Sequence, residues 1–144
     1  MNSNNHMKIS GYSGMIGSIQ FIIIPIIAMF FYGGGTIWNH DAIGYTFWEN
    51  FLSDLGRTFA RNGVENKISS PLFNTSLGLF GTSIVLLHSS TFRLFKFVWG
   101  YLITLTGIIS GIGMIIIALA PDNVLHDLLI LGVWTWSVTY TQRT

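Results

Sequence analysis

Hydrophobic positions in this chain fall in long unbroken runs rather than in the alternation of a surface strand or the one-sided stripe of a soluble helix. Charge-free stretches extend from Lys8 to Asp41, from Lys67 to Arg93, from Lys96 to Asp122 and from Asp127 to Arg143. The first three exceed the ~20 apolar residues that a spanning helix needs, and the fourth is shorter. Spans are therefore predicted over 16–38, 72–88, 97–120 and 124–140. Each must be helical, because an isolated strand in lipid would leave its backbone polar groups unpaired. The expected fold is all-α, a polytopic transmembrane helix bundle forming a single domain over 1–144.

Between the first two runs the pattern changes. Phe47, Phe51, Leu55 and Phe59 recur every four residues, while Asn50, Asp54, Arg57 and Arg61 recur on another face. That periodicity predicts an amphipathic helix over 45–61 lying in the membrane interface, with Asp54 and Arg57 paired at i and i+3. Small residues make a second pattern. Gly100, Thr104, Gly107, Gly111 and Ala118 line one stripe of the third run, and Asn74, Gly78, Gly81, Val85 and His88 line one stripe of the second. Close helix packing is the usual reason for small residues in lipid, so the two stripes are expected to face one another or the bundle interior. Pro25 is expected to kink the first span.

Composition agrees with the membrane reading. Half of the residues are hydrophobic and 9% are charged, against about a quarter in soluble domains. A net charge of +1 without a basic cluster argues against nucleic acid as a partner. The absence of cysteine excludes disulfides and thiolate chemistry. The first run is too long for the apolar part of a cleaved signal peptide. Lys8, Arg93, Lys96 and Arg143 outnumber Arg57, Arg61 and Lys67 of the long loop, which puts both termini in the cytoplasm of an integral protein of the cell membrane. All six acids, Asp41, Glu49, Asp54, Glu65, Asp122 and Asp127, then share the extracytoplasmic side.

Candidate chemistry gathers on that side. Asp122 follows Pro121 as a helix N-cap, and His126 and Asp127 fall in the next turn. His126, Asp122 and Asp127, with Asp54 nearby, would suit a general base or a metal-held water at the boundary. No cofactor is expected; zinc is the metal this donor set would suit, but three good ligands are not assured and no HExxH-type spacing occurs. GxSxG elbows, P-loops and dinucleotide fingerprints are absent from the sequence.

Asn50, Ser53, Leu55 and Gly56, followed by Asn74 and then by Pro121 and His126, resemble the pattern of the uncharacterised membrane proteins grouped as domain of unknown function 998. Those proteins look like six-span proteins, and four spans are expected here. The resemblance implies an architecture and a polar cluster but no activity. It also leaves room for a second copy or a partner membrane subunit to cover exposed helix faces. Two functional readings follow. In one, Asn50, Ser53, Asp54, Arg57 and Asn74 bind a lipid headgroup or a membrane partner without turnover. In the other, a membrane-embedded lipid hydrolase or transferase uses His126 with Asp122 or Asp127.

Overall fold

Three helices and one closed loop make up what the computed structural model describes, residues 3–91 and 98–120. The helices are α1 (Ser3–Met29), α2 (Ser69–His88) and α3 (Val98–Leu119), and a short 3-10 helix, Leu52–Gly56, lies in the loop between α1 and α2. All three long helices are long and apolar enough to cross a membrane. α2 stands between the other two and packs on both. The expected span over 124–140 lies outside the described residues.

α2 and α3 begin and end within three residues of the expected spans, while α1 is displaced toward the N-terminus. Its first half, rich in serine and glycine, is helical because α2 receives it. The Ser10 and Ser90 hydroxyls share a 2.8 Å hydrogen bond, Ser13 Oγ donates to the Ser83 carbonyl, and Gln20 Nε2 donates to the Ser76 carbonyl. Polar contacts of this kind serve as glue between helices where water is absent. Phe21 stacks on Phe80 at 4.7 Å between ring centroids, one turn further along. These pairs run in opposite directions along the two helices, so α1 and α2 are antiparallel. α1 continues as helix through Pro25. It stops before Trp38 because the chain turns at Gly34 and Gly35, whose φ values of 111° and 81° no helix accommodates.

The two small-residue stripes do face one another. A Cβ on Gly81 would lie 2.6 Å from the Gly111 carbonyl oxygen, and one on Gly111 would lie 2.6 Å from the Gly81 carbonyl oxygen. At one end a Cβ on Gly107 would overlap the His88 ring, and at the other Gly78 meets Ala118. α2 and α3 are thus antiparallel too, and they touch backbone to backbone at mid-length. The 30–68 loop and the end of α3 at Leu119 share one end of the bundle, and His88 and the start of α3 share the other.

The amphipathic helix expected over 45–61 is replaced by irregular structure. Asn50 accepts a hydrogen bond from the Thr46 backbone N–H, and the Asp54 carboxylate accepts one from the Phe51 N–H. Side chains that bond the nearby backbone compete with a continuing helix. Phe51 and Arg57 are extended, so only Leu52–Gly56 between them turns, as a 3-10 helix. Residues 58–66 then fold back on themselves. Ala60 N–H donates to the Val64 carbonyl, Asn66 N–H donates to the Thr58 carbonyl, and Gly63 completes the tight turn at a φ of 81°.

The contact between Gly81 and Gly111 yields a direct test. Gly81→Ala is expected to cost about 1–3 kcal/mol through backbone displacement, read as a lower unfolding midpoint in mild detergent. At Gly113 an added Cβ meets nothing within 4 Å. Gly113→Ala should therefore leave the midpoint unchanged or raise it by up to about 1 kcal/mol.

Candidate functional site

The loop between α1 and α2 closes over a single carboxylate. Asp54 is completely buried, and both of its oxygens are occupied. Oδ1 accepts from Arg61 Nε at 2.9 Å and Nη2 at 2.7 Å, while Oδ2 accepts from Asn50 Nδ2 at 3.2 Å and from the Phe51 N–H at 3.0 Å. A buried carboxylate is tolerable only with such a set of donors, one of them cationic. Asn50 extends the network, since its Nδ2 also donates to the Gly35 carbonyl at 2.8 Å.

Arg61 reaches Asp54 because its backbone is held from several directions. Its N–H donates to the Tyr32 hydroxyl at 3.1 Å, and its carbonyl pairs with His40 Nδ1 at 2.7 Å. Asn62 bonds back to Gly33 and Gly34, tying the hairpin tip to the exit of α1. Tyr32 and Tyr45 pack edge to face at 5.8 Å beside the ion pair. Burial raises the phenol pKa of Tyr32 above 10.0, opposed by the hydrogen bond from Arg61 and reinforced by the nearby Asp54 charge. Burial raises that of Tyr45 as well, with Asp54 and Tyr32 adding to the effect.

The same element docks on α2 through carbonyl groups. Leu55 is fully buried, and its carbonyl accepts from Asn66 Nδ2 and Ser69 Oγ. The Gly56 carbonyl accepts from Ser70 Oγ and Asn74 Nδ2, each at 3.0 Å. Glycine is required at 56 by the closeness of that approach, because a Cβ there would lie 2.6 Å from Asn74 Oδ1. Asn50, Leu55, Gly56 and Asn74 take part in this assembly, and Ser53 is exposed on its outside.

Among the expected binding residues, Asn50, Asp54 and Asn74 thus spend their polar groups inside the protein. Ser53 and the partly exposed Arg57 face outward. The expected pairing of Asp54 with Arg57 is corrected to Asp54 with Arg61, because the 58–66 hairpin rather than a helix sets the spacing. Arg57 Nε donates to the Phe59 carbonyl at 3.3 Å. Asp122, His126 and Asp127 lie outside the described residues. Among the described residues no group of three histidine, aspartate or glutamate side chains is arranged to hold a metal ion. Sequence reasoning missed Arg61 as the partner of Asp54 and missed Tyr32, although the Asn62-Gly63 pair is a strong hairpin signal that would have found the turn.

Around this closed interior the loop exposes a rim of large apolar side chains. Trp38 is 83% exposed, Ile43 98% and Trp48 89%, and Phe47 sits edge-on against Trp48. These side chains stand among exposed polar ones such as Asp41 and Glu49, on a base fixed by polar bonds. No protein-family model, no curated protein and no solved structure matches the chain.

Two outcomes follow from this geometry. Asp54→Asn leaves the Arg61 guanidinium inside the loop without its counter-charge and should cost about 3 kcal/mol, seen as lost hydrogen-exchange protection over 30–68. Ser53→Ala, on the outside, should change stability by less than about 0.5 kcal/mol. The raised phenol pKa values give a second test, in alkali. Tyrosinate is disfavoured in the folded loop, so the contribution of Tyr32 and Tyr45 is fully present below pH 10.0 and declines as pH rises toward their folded pKa values. A titration followed by tyrosinate absorbance should show two late-ionising phenols, and unfolding should move them back to the ordinary range.

Proposed function

We propose that this is an integral protein of the cell membrane that carries its 30–68 loop as a cap on the extracytoplasmic side and engages lipid headgroups there. A fourth span over 124–140 and cytoplasmic termini belong to this reading. The observation that carries it is the exposed rim of Trp38, Ile43, Phe47 and Trp48 on a loop whose central carboxylate, Asp54, is paired internally. Large exposed apolar patches mark interaction surfaces, and tryptophan favours the headgroup layer in particular. α1 ends and α2 begins at this loop, which supports placing the rim near a membrane boundary. Lipid binding does not depend on Asp54 touching the ligand. Asp54 instead keeps the loop in the shape that presents the rim, and Ser53 adds an exposed hydroxyl. The hydrolase or transferase reading rests on His126, Asp122 and Asp127, and no observation among the described residues favours it.

Tryptophan fluorescence in vesicles tests the proposal. With Trp99, Trp134 and Trp136 replaced by phenylalanine, Trp38 and Trp48 should be quenched strongly by lipids brominated near the ester end of the chain and weakly by lipids brominated near the methyl end. Emission characteristic of water, with no quenching at either depth, would overturn it. Quenching that appears only when the chain is dilute in the bilayer would instead assign the rim to a second copy.

A further inference from the structure

Two open apolar grooves run down the loop-side end of α2, one on each side of a ridge formed by Pro71 and Thr75. The groove toward α3, about 320 Å³, is bounded by Asn74, Gly78, Ile115 and Ala118. The groove toward α1, about 400 Å³, is bounded by Ile24, Ile68 and Leu72, with Lys67 at its mouth. Both lie in helices apolar enough to cross a membrane, at the end where the cap sits. Gly78 keeps the first groove open: its nearest neighbour across the helix pair is the Ala118 Cβ, 3.5 Å from where a Cβ would stand.

The ridge carries a polar group of its own. Ser18, Thr82, Ser83 and Thr106 return their hydroxyls to the carbonyls of Gly14, Gly78, Leu79 and Leu102, each at 2.9 Å, whereas the buried Ser76 and Thr104 hydroxyls have no partner among the described residues. Thr75, which borders both grooves, is exposed and makes no such bond among the described residues. Lys67 lies two turns of chain above it, ion-paired at 3.2 Å with Glu65. Both partners of that pair are exposed, so it contributes little, and the lysine is free to exchange it for another anion.

Resting on the proposal that the cap lies at the lipid boundary, we infer that one phospholipid straddles the Pro71–Thr75 ridge. The phosphate meets the Lys67 ammonium, the glycerol esters lie in the groove toward α1 where the Thr75 hydroxyl at its inner end donates to an ester carbonyl, and an acyl chain runs on down the groove toward α3. Three features arranged along the membrane normal match the three chemical zones of the lipid. From the loop side inward they are a cation for the phosphate, a groove ending at an unspent hydroxyl for the glycerol esters, and a groove continuing to Leu79 for an acyl chain. A lysine stem lies along apolar surface while its ammonium stays at the headgroup level, which suits Lys67 to this place.

The test uses the full chain in vesicles of equal parts phosphatidylglycerol and an uncharged diacyl glycolipid, released in mild detergent and weighed by native mass spectrometry. One phosphatidylglycerol per chain is expected to survive release. Lys67→Gln should lower the retained fraction about fivefold, the equivalent of the ~1 kcal/mol that a lysine near a lipid surface supplies, and Lys67→Arg should keep it. Thr75→Val should lower it about three- to tenfold. Both side chains are exposed, so unfolding midpoints should stay at the wild-type value. Equal retention of the glycolipid, or full retention by Lys67→Gln and Thr75→Val, overturns the inference. So does the absence of any retained lipid; if Trp38 and Trp48 are nonetheless quenched at the ester depth, the cap keeps its place at the boundary and only the ridge site fails.

Discussion

Everything on the loop side of this protein depends on placing one charged carboxylate out of reach of water. A buried carboxylate needs several donors, and Asp54 draws them from Asn50, the Phe51 backbone and Arg61. Each of those donors imposes its own geometry. Arg61 reaches Asp54 only if residues 58–66 turn back, which requires the Asn62-Gly63 turn. Asn50 reaches it only if residues 46–50 form a turn of their own. A single ionic contact therefore fixes a loop of nearly forty residues that has little regular secondary structure and a small apolar core around Tyr32, Leu55, Ala60 and Phe73.

The helices obey a different constraint. In lipid, apolar burial gives no drive for one helix to meet another, so contact depends on close fit and on polar pairs. α2 uses both devices, one on each side. Toward α3 it offers Gly81 against Gly111, and toward α1 it offers the Ser83 and Ser76 carbonyls to Ser13 and Gln20, with Ser90 just past its end meeting Ser10. This also explains why α1 extends so far toward the N-terminus through residues of modest hydropathy. Serine and glycine there are contact residues rather than a polar tail.

The spans that hydropathy alone determines were legible in the sequence: α2 and α3 emerge within three residues of expectation, and the facing glycine stripes could be read from spacing. α1 was displaced because a hydropathy run records which residues tolerate lipid, not which ones find a partner helix. The loop misled for another reason. Phe47, Phe51, Leu55 and Phe59 do repeat at helical spacing, but Asn50 and Asp54 bond the backbone nearby and stop the helix, and short-range periodicity contains no record of that competition. The acidic residue at the centre was recognisable, and its partner was not, since the hairpin places Arg61 against it across a distance that helical arithmetic assigns to Arg57.

The division of hydrogen bonds in the loop sets an order of assembly. Every donor to Asp54 comes from residues 50–61, and the turn that brings Arg61 back to it closes at Asn66, so the ion pair needs no residue of α2. The carbonyls of Leu55 and Gly56, by contrast, wait for Asn66, Ser69, Ser70 and Asn74, the last three of which belong to α2. Docking of the loop thus requires α2 in place as a helix. The loop can hold a knot of polar contacts of its own, which the second helix clamps down.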